Sequence, residues 1–340
     1  MLTIKDIATL AGVSKSTVSR VLNNSGYVSQ EARHKVENIV KQEGYSPSAI
    51  ARGLHKGSSN TIGVIIPEGD NPYFAKILNG ISEVADRNNL PVLFCNSQNR
   101  ENKEEHLIQM LAQQRVSGAI LSTVAILDEH KKRSKFKRML KKLEFPIVLL
   151  DVPIKYGLCD GVFFDNYSGA YAATSKLIEC GHKTIGTITL SSQLQVSKDR
   201  LNGFLQAMQD HQLEVKPEYV LQGNMSIDNN YRCVKQLLSL PEPPTAFFAQ
   251  NNISTIAAYR ASNELGVTWG NQLSCIGFDR VDFLDYLNVP YSYVYRDAEY
   301  MGRQAMQLLI NRLCMPRAPR KECIVPIQIE GSGIKLLLHN

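Results

Sequence analysis

At 340 residues, with 44% apolar and 21% charged side chains, the chain has the make-up of a globular protein long enough for two or three domains. No stretch reaches the roughly eighteen apolar residues of a membrane span, and the N-terminus lacks the basic-then-apolar pattern of a secretory signal, so the expected compartment is the cytoplasm. Seven scattered cysteines without a CxxC pair argue for reduced thiols and against a disulfide framework or zinc site, while the net charge of +6 is uneven: eight basic residues stand against four acidic ones through residue 60.

Taken in order, the first elements are helices. Ile4, Ile7, Ala8 and Ala11 recur at helical spacing and form one apolar face of a short helix, which Gly12 ends. Ser14 can cap a second helix through its hydroxyl, and Val18, Val21 and Leu22 give that helix a stripe meeting the first across a tight turn, a helix-turn-helix pattern. On its other side Lys15, Ser16, Ser19 and Arg20 point together at solvent, with donors of the kind that read base edges and phosphates; the plain alternative is the solvated face of a small bundle. Ser29 caps a third helix striped by Ala32, Val36, Ile39 and Val40. Ser46-Pro47 opens a fourth segment running to Gly57, too short and too rich in small residues to be stable as a free helix, which is expected to fold only on a partner.

Residues 57–60, Gly-Ser-Ser-Asn, form a linker by composition. Beyond it, β-rich runs at 62–67, 91–95, 118–123, 146–150, 161–164, 184–189, 219–222 and 245–249 alternate with helical stretches. Repeated strand and helix units form parallel sheets covered on both faces, and their number exceeds one comfortable sheet, so two α/β lobes are expected.

With TIKDIATLAGVSKSTVSRVLN at its start, GYSPSAIARGL before the linker, NPYFAKILNGI after the first strand, and RLNGF, PTAFFA and IGFD further on, the chain resembles the LacI/GalR family of bacterial transcriptional regulators over essentially its whole length. The resemblance implies an all-α helix-turn-helix headpiece (1–45), a hinge helix and linker (46–60), and a two-lobed, periplasmic-binding-protein-like α/β core with parallel sheets (61–340). Lobe 1 is expected at 61–161 and 294–321 and lobe 2 at 162–293 and 322–340, joined by three crossovers, with the terminal strands completing the second lobe.

The resemblance also implies roles. Lys15, Ser16 and Arg20 hold family positions for major-groove contacts, and the fork of Arg20 can pair with both acceptors of a guanine; Thr3, Ser14, Thr17, Ser19 and Asn23 complete the headpiece set. Leu54, with Ser48 and Ala51 beside it, matches the leucine that members push into the minor groove at a central CpG step, unstacking it and bending the duplex. Two hinges fill one groove, so the implied assembly is a homodimer on double-stranded palindromic operator DNA. No leucine heptad tail follows the last strand, so a coiled-coil tetramer is not expected.

Between the lobes the family holds a small-molecule effector. Asn71, Tyr73 and Phe74 would wall the site, the rings suiting the apolar face of a sugar, although Phe74 also fits ordinary core packing. Arg200 in KDRLNGF and Asp279 in IGFD match residues that hold polar effector groups, or could pair with each other across the lobes; Ser122, Asp151, Asp165, Met225 and Asn252 complete the expected lining. The chain departs from the common pattern at Gln250-Asn251-Asn252, where a carboxylate is lost, at Met225, where some relatives place an aromatic lid, and at Arg296, where glutamine is common. Residues 191–197 lack the second arginine of purine-binding relatives, which argues against a purine base. Family habit then implies a repressor of sugar-utilisation genes released by a sugar or sugar phosphate, the alternative being a catabolite-control-type regulator strengthened on DNA by a phosphorylated phosphocarrier protein. Asp151 and Asp165 are paired carboxylates, but no nucleophile elbow, GxxxxGK[ST], HExxH or GxGxxG follows a strand, so no catalytic residue, metal or cofactor is expected. A free sugar-binding transport protein would need an export signal and no headpiece.

Overall fold

A computed structural model of the chain describes residues 2–45, 59–124, 130–151, 159–190 and 194–337. The headpiece holds three helices, Ile4–Ala11, Lys15–Leu22 and Gln30–Gln42, capped by Thr3, Ser14 and Ser29. Gly12 ends the first helix in the left-handed region, φ 63°, where a side chain would be strained, and this lets the second helix start three residues later. Ile7, Ala8, Ala11, Val18, Val21 and Val36 form its core, with Ile39 and Val40 half-buried against it.

Beyond Ser59 the core contains two sheets. The first has the order β11 (Glu322–Val325), β5 (Asp160–Phe164), β4 (Ile147–Leu150), β3 (Gly118–Leu121), β1 (Ile62–Ile66), β2 (Val92–Asn96), all parallel. The second has the order β12 (Ile327–Gly331), β10 (Ser292–Arg296), β9 (Ser274–Phe278), β8 (Ala246–Ala249), β6 (Ile185–Thr189), β7 (Val220–Gln222). The central strands β1, β3, β4, β6, β8 and β9 are buried along their whole length, because helices cover both faces of each sheet.

The lobe boundaries differ from the sequence expectation. Strand β5 and strand β11 belong to the first sheet, whereas β10 belongs to the second, so the chain crosses at Asp165, at Asp297 and at Pro326. The crossings are single residues between a strand and the next element, which hydropathy patterning cannot resolve. The all-parallel expectation also fails at one place: β12 pairs antiparallel with β10. Strand β11 runs toward the junction and only Pro326 separates it from β12, so the chain enters the second lobe heading away from the cleft, against the other strands.

The helix Pro72–Arg87 crosses the returning helix Ala298–Cys314 where both carry glycine. A Cβ on Gly80 would lie 2.0 Å from the Glu299 carbonyl oxygen, and one on Gly302 would lie 2.1 Å from that of Ile77. This close approach packs Tyr73 and Phe74, at the start of the first helix, against Met301 and the rest of the lobe-1 core. No helix among the described residues is long and apolar enough to cross a membrane.

Candidate DNA-reading helix and interlobe cleft

Val18 and Val21 bury one side of the helix Lys15–Leu22, so its other side must face outward. Lys15, Ser16, Arg20 and Asn23 are exposed, and neither Lys15 nor Arg20 is ion-paired with another of the described residues. Thr3 and Ser14 act first as caps: Thr3 donates its amide and hydroxyl to the Asp6 carboxylate at 2.8 Å each, and Ser14 Oγ accepts from the Thr17 amide at 3.1 Å. Ser16 and Thr17 hydroxyls also meet Ser14 Oγ, at 2.7 and 2.8 Å, and Asn23 donates to Ser19 Oγ at 3.3 Å. Tyr27, 89% exposed in the following loop, was not anticipated; its signal is an aromatic residue in an Asn-Asn-Ser-Gly-Tyr turn, outside any apolar stripe. Ser48, Ala51 and Leu54, with the hinge helix, lie outside the described residues.

The lobes face each other across a cleft of about 770 Å³. Lobe 1 contributes an amide-rich wall: Asn71 donates to Glu68 at 2.7 Å, Asn99 donates to the other Glu68 oxygen at 2.6 Å, and Asn96 and Gln98 stand beside them. Lobe 2 contributes Met225, Ile227, Ile253, Val281 and Phe283, an apolar wall, together with Asn252 and Arg280. Two contacts tie the lobes at this level: Asn252 donates to Asn71 Oδ1 at 2.8 Å, and Lys76 pairs with Asp282 at 2.7 Å.

Of the expected effector residues, Asn71, Met225 and Asn252 line this cleft. Tyr73 and Asp279 line a smaller cavity of about 200 Å³ beside Arg296. Phe74 is buried in the lobe-1 core, and the Tyr73 ring is covered by a guanidinium, so the expected aromatic wall is not presented to the cleft; the exposed ring there is Phe283. Asp165 caps the helix Asn166–Glu179, accepting from the Ser168 amide at 2.9 Å and its hydroxyl at 2.7 Å, because the crossover falls at that residue. Ser122 is buried at the end of β3, its amide donating to the Ile65 carbonyl.

The remaining two, Asp151 and Arg200, meet Asp279 at the inner end of the interface with a residue that the sequence marked only as a departure. Arg296 donates to Asp279 through Nε at 2.6 Å and Nη2 at 2.8 Å, and to Asp151 through Nη1 at 3.1 Å. Its Cζ lies 4.2 Å from the Tyr73 ring centre, 4.9 Å from that of Phe164 and 5.1 Å from that of Phe278. Asp279 therefore pairs with Arg296, not with Arg200. Arg200 donates to Asn166 Oδ1 at 2.9 Å and to the Gln250 carbonyl at 2.6 Å, with its Cζ 3.7 Å from the Phe278 ring centre. Burial, reinforced by Arg296, lowers its pKa to about 10. Burial also works against the charge on Arg296, but Asp279 and Asp151 outweigh it and raise its pKa. Asp151 and Asp279 each follow a strand with positive φ, 65° and 78°, a conformation that costs side-chain-bearing residues roughly 1–2 kcal/mol. The bidentate contact compensates this at Asp279.

Comparison with known proteins agrees with both parts. The family described as "Bacterial regulatory proteins, lacI family" matches residues 3–48, and "Periplasmic binding proteins and sugar binding domain of LacI family" matches residues 59–328. The HTH-type transcriptional repressor PurR of Mannheimia succiniciproducens is 32% identical over 322 residues, covering 94% of this chain and 95% of that protein. The lac repressor dimer bound to operator and the anti-inducer ONPF aligns over 99% of each chain with a TM-score of 0.86 at 24% identity, a likeness of fold. A LacI family transcriptional regulator from Enterococcus faecium with bound ribose aligns over 82% of this chain and all of its own, at 26% identity and a TM-score of 0.72. Helix-turn-helix headpiece, two-lobed core and full-length relatives together establish that the chain belongs to the LacI family of bacterial regulatory proteins, a DNA-binding transcriptional repressor with a periplasmic-binding-protein-like core.

Proposed function

We propose that the protein acts in the cytoplasm as a homodimeric repressor that binds a palindromic operator and is released from it by a sugar or sugar phosphate held between the lobes. The observation that carries the effector reading is the wall chemistry of the cleft: amides of Asn71, Asn96, Gln98 and Asn99 face Met225 and Phe283, with the Asn252 amide beside the apolar wall, which suits a ligand with ring hydroxyls around its rim and an apolar face. The ribose-bound regulator from Enterococcus faecium supports a sugar in such a core.

On DNA, Arg20 pairs with a guanine, Lys15 and Ser16 make the neighbouring major-groove and phosphate contacts, and Thr3, Ser14, Thr17, Ser19 and Asn23 line the same edge. Leu54 enters the minor groove between the two hinges, and Ser48 and Ala51 complete the hinge's DNA-binding set. Effector binding changes lobe closure and so the spacing of the hinges; a coupling of about 1–3 kcal/mol would change operator affinity severalfold to about a hundredfold.

The experiment is fluorescence anisotropy of the purified chain on a palindromic duplex with a central CpG, across sugars, sugar phosphates and purine bases. Release by a sugar or its phosphate supports the reading. Tighter binding with a purine base would replace it with a corepressor of the kind that the name PurR suggests for the relative from Mannheimia succiniciproducens, and tighter binding only with a phosphorylated phosphocarrier protein would replace it with catabolite-type control. Leu54→Ala is expected to reduce DNA bending and specific binding while effector affinity holds.

A further inference from the structure

The inner end of the cleft is occupied by a side chain of the protein itself, with a cavity of only about 200 Å³ left beside it. Three of the residues that the effector would be expected to touch, Tyr73, Asp151 and Asp279, are touched instead by the guanidinium of Arg296, whose side chain is 2% exposed. Asp151 comes from lobe 1 and Asp279 from lobe 2, so one cation spans the interface between them. The charges there close on themselves: Arg200 and Arg296 are balanced by Asp151 and Asp279. A phosphate or an ammonium added at this depth would be a fifth, uncompensated buried charge.

We propose that Arg296 is the specificity-determining residue of the cleft, a built-in occupant of its inner end that confines an effector to the outer part and excludes ligands whose charged group must reach Asp279. This deepens the effector reading given above and rests on it. The outer part agrees in sign: among the described residues Glu68, Asp70, Asp228 and Asp282 line it with Arg280, which pairs with Asp282 and Asp285, and although Lys76 and Arg260 pair with Asp282 and Asp228 from beside it, the balance stays negative. Of the two ligand classes, the uncharged sugar is the one this arrangement accepts. A glutamine at position 296 would leave two buried carboxylates facing one arginine, and a site for a planar cation.

The test removes the occupant and returns it as a free molecule. In the full-length chain, Arg296→Ala leaves Asp279 without its bidentate partner and the buried set with one negative charge in excess; Arg296→Ser leaves the same excess with a hydroxyl to meet the freed carboxylates, so the result does not depend on a single variant folding. Methylguanidinium chloride at millimolar concentration, far below denaturing levels, is the probe, and binding is read by calorimetry and by the shift in melting temperature. Both variants are expected to bind it saturably, at least tenfold tighter than the wild type, and the binding is expected to vanish when Asp279→Asn is added. Equal binding by wild type and variants, no binding by any folded variant, or binding that survives Asp279→Asn would overturn the proposal. These measurements need no DNA, so a wild-type chain that fails to recognise any operator would break the repressor reading while leaving this result readable.

Discussion

The proposed reading helix and the inner cleft hold their candidate groups in opposite ways. Lys15, Ser16 and Arg20 sit within two turns of one helix, exposed, and carried by a six-residue apolar core that none of them enters. Arg296, Asp279, Asp151 and Tyr73 come from both lobes and four separate elements, are buried, and are themselves part of what holds the lobes together. Substitutions on the helix should therefore change DNA affinity and leave stability alone, whereas substitutions in the cleft should change stability first.

The largest expected effect tests the cleft side of that contrast. Asp279→Ala leaves Arg296 buried with Asp151 as its remaining carboxylate, and breaking a buried pair from one side costs about 3–5 kcal/mol, read as a lower denaturation midpoint of the core. A cost of less than about 1 kcal/mol, the range of exposed pairs, would show that the constellation is solvated and the contrast false. Next comes a pH effect in lobe 1. Burial raises the Glu104 pKa from 4.5 to about 7, against the hydrogen bonds donated by Thr123 Oγ1 at 2.6 Å and the Val124 amide at 2.7 Å. An acid that keeps its proton longer folded than unfolded takes stability away as pH rises from the unfolded value to the folded one. Stability should fall across pH 4.5–7. Glu104→Gln should remove that slope and recover up to about 3 kcal/mol at pH 8; an unchanged slope in the variant would assign it to other groups.

On the headpiece side, Arg20→Ala should weaken specific operator binding by about 1–3 kcal/mol and relax preference at one base pair, with the melting temperature unmoved. A matching loss of stability would mean that the side chain packs and does not read. Lys15→Ala should lower the salt slope of binding by about one unit, nearly independent of sequence. The smallest effect separates capping from ligand contact: Asp165→Ala should cost about 1 kcal/mol of stability and leave effector affinity as it is, and a lost effector response would restore Asp165 to the ligand site.

What was legible in the sequence follows the same division. The headpiece helices and their caps Ser14 and Ser29, together with the alternation of strand and helix in the core, depend on spacing along the chain, and the sequence showed them. Crossover positions were displaced by a few residues, because strands β5, β10 and β11 are equally apolar whichever sheet receives them. The antiparallel β12 follows from the single-residue passage at Pro326, a property of three-dimensional path and not of pattern. In the cleft most candidate residues lie along the interface between the lobes, but their partners were not legible: Arg296 lies seventeen residues from Asp279 and 145 from Asp151, and no spacing rule connects them. Its unusual identity at a glutamine position was the available signal. Phe283, in the short helix Asp282–Tyr286, offered none.

The most direct measurement is the affinity of the full-length chain for a palindromic operator duplex, titrated with uncharged sugars and with the corresponding phosphate esters. The account predicts tight, salt-dependent binding at one dimer per duplex, weakened severalfold to about a hundredfold by an uncharged sugar and not by its phosphate. Tight binding relieved by the phosphate ester alone would contradict the role given to Arg296, and absence of sequence-specific binding at any salt concentration would contradict the account as a whole.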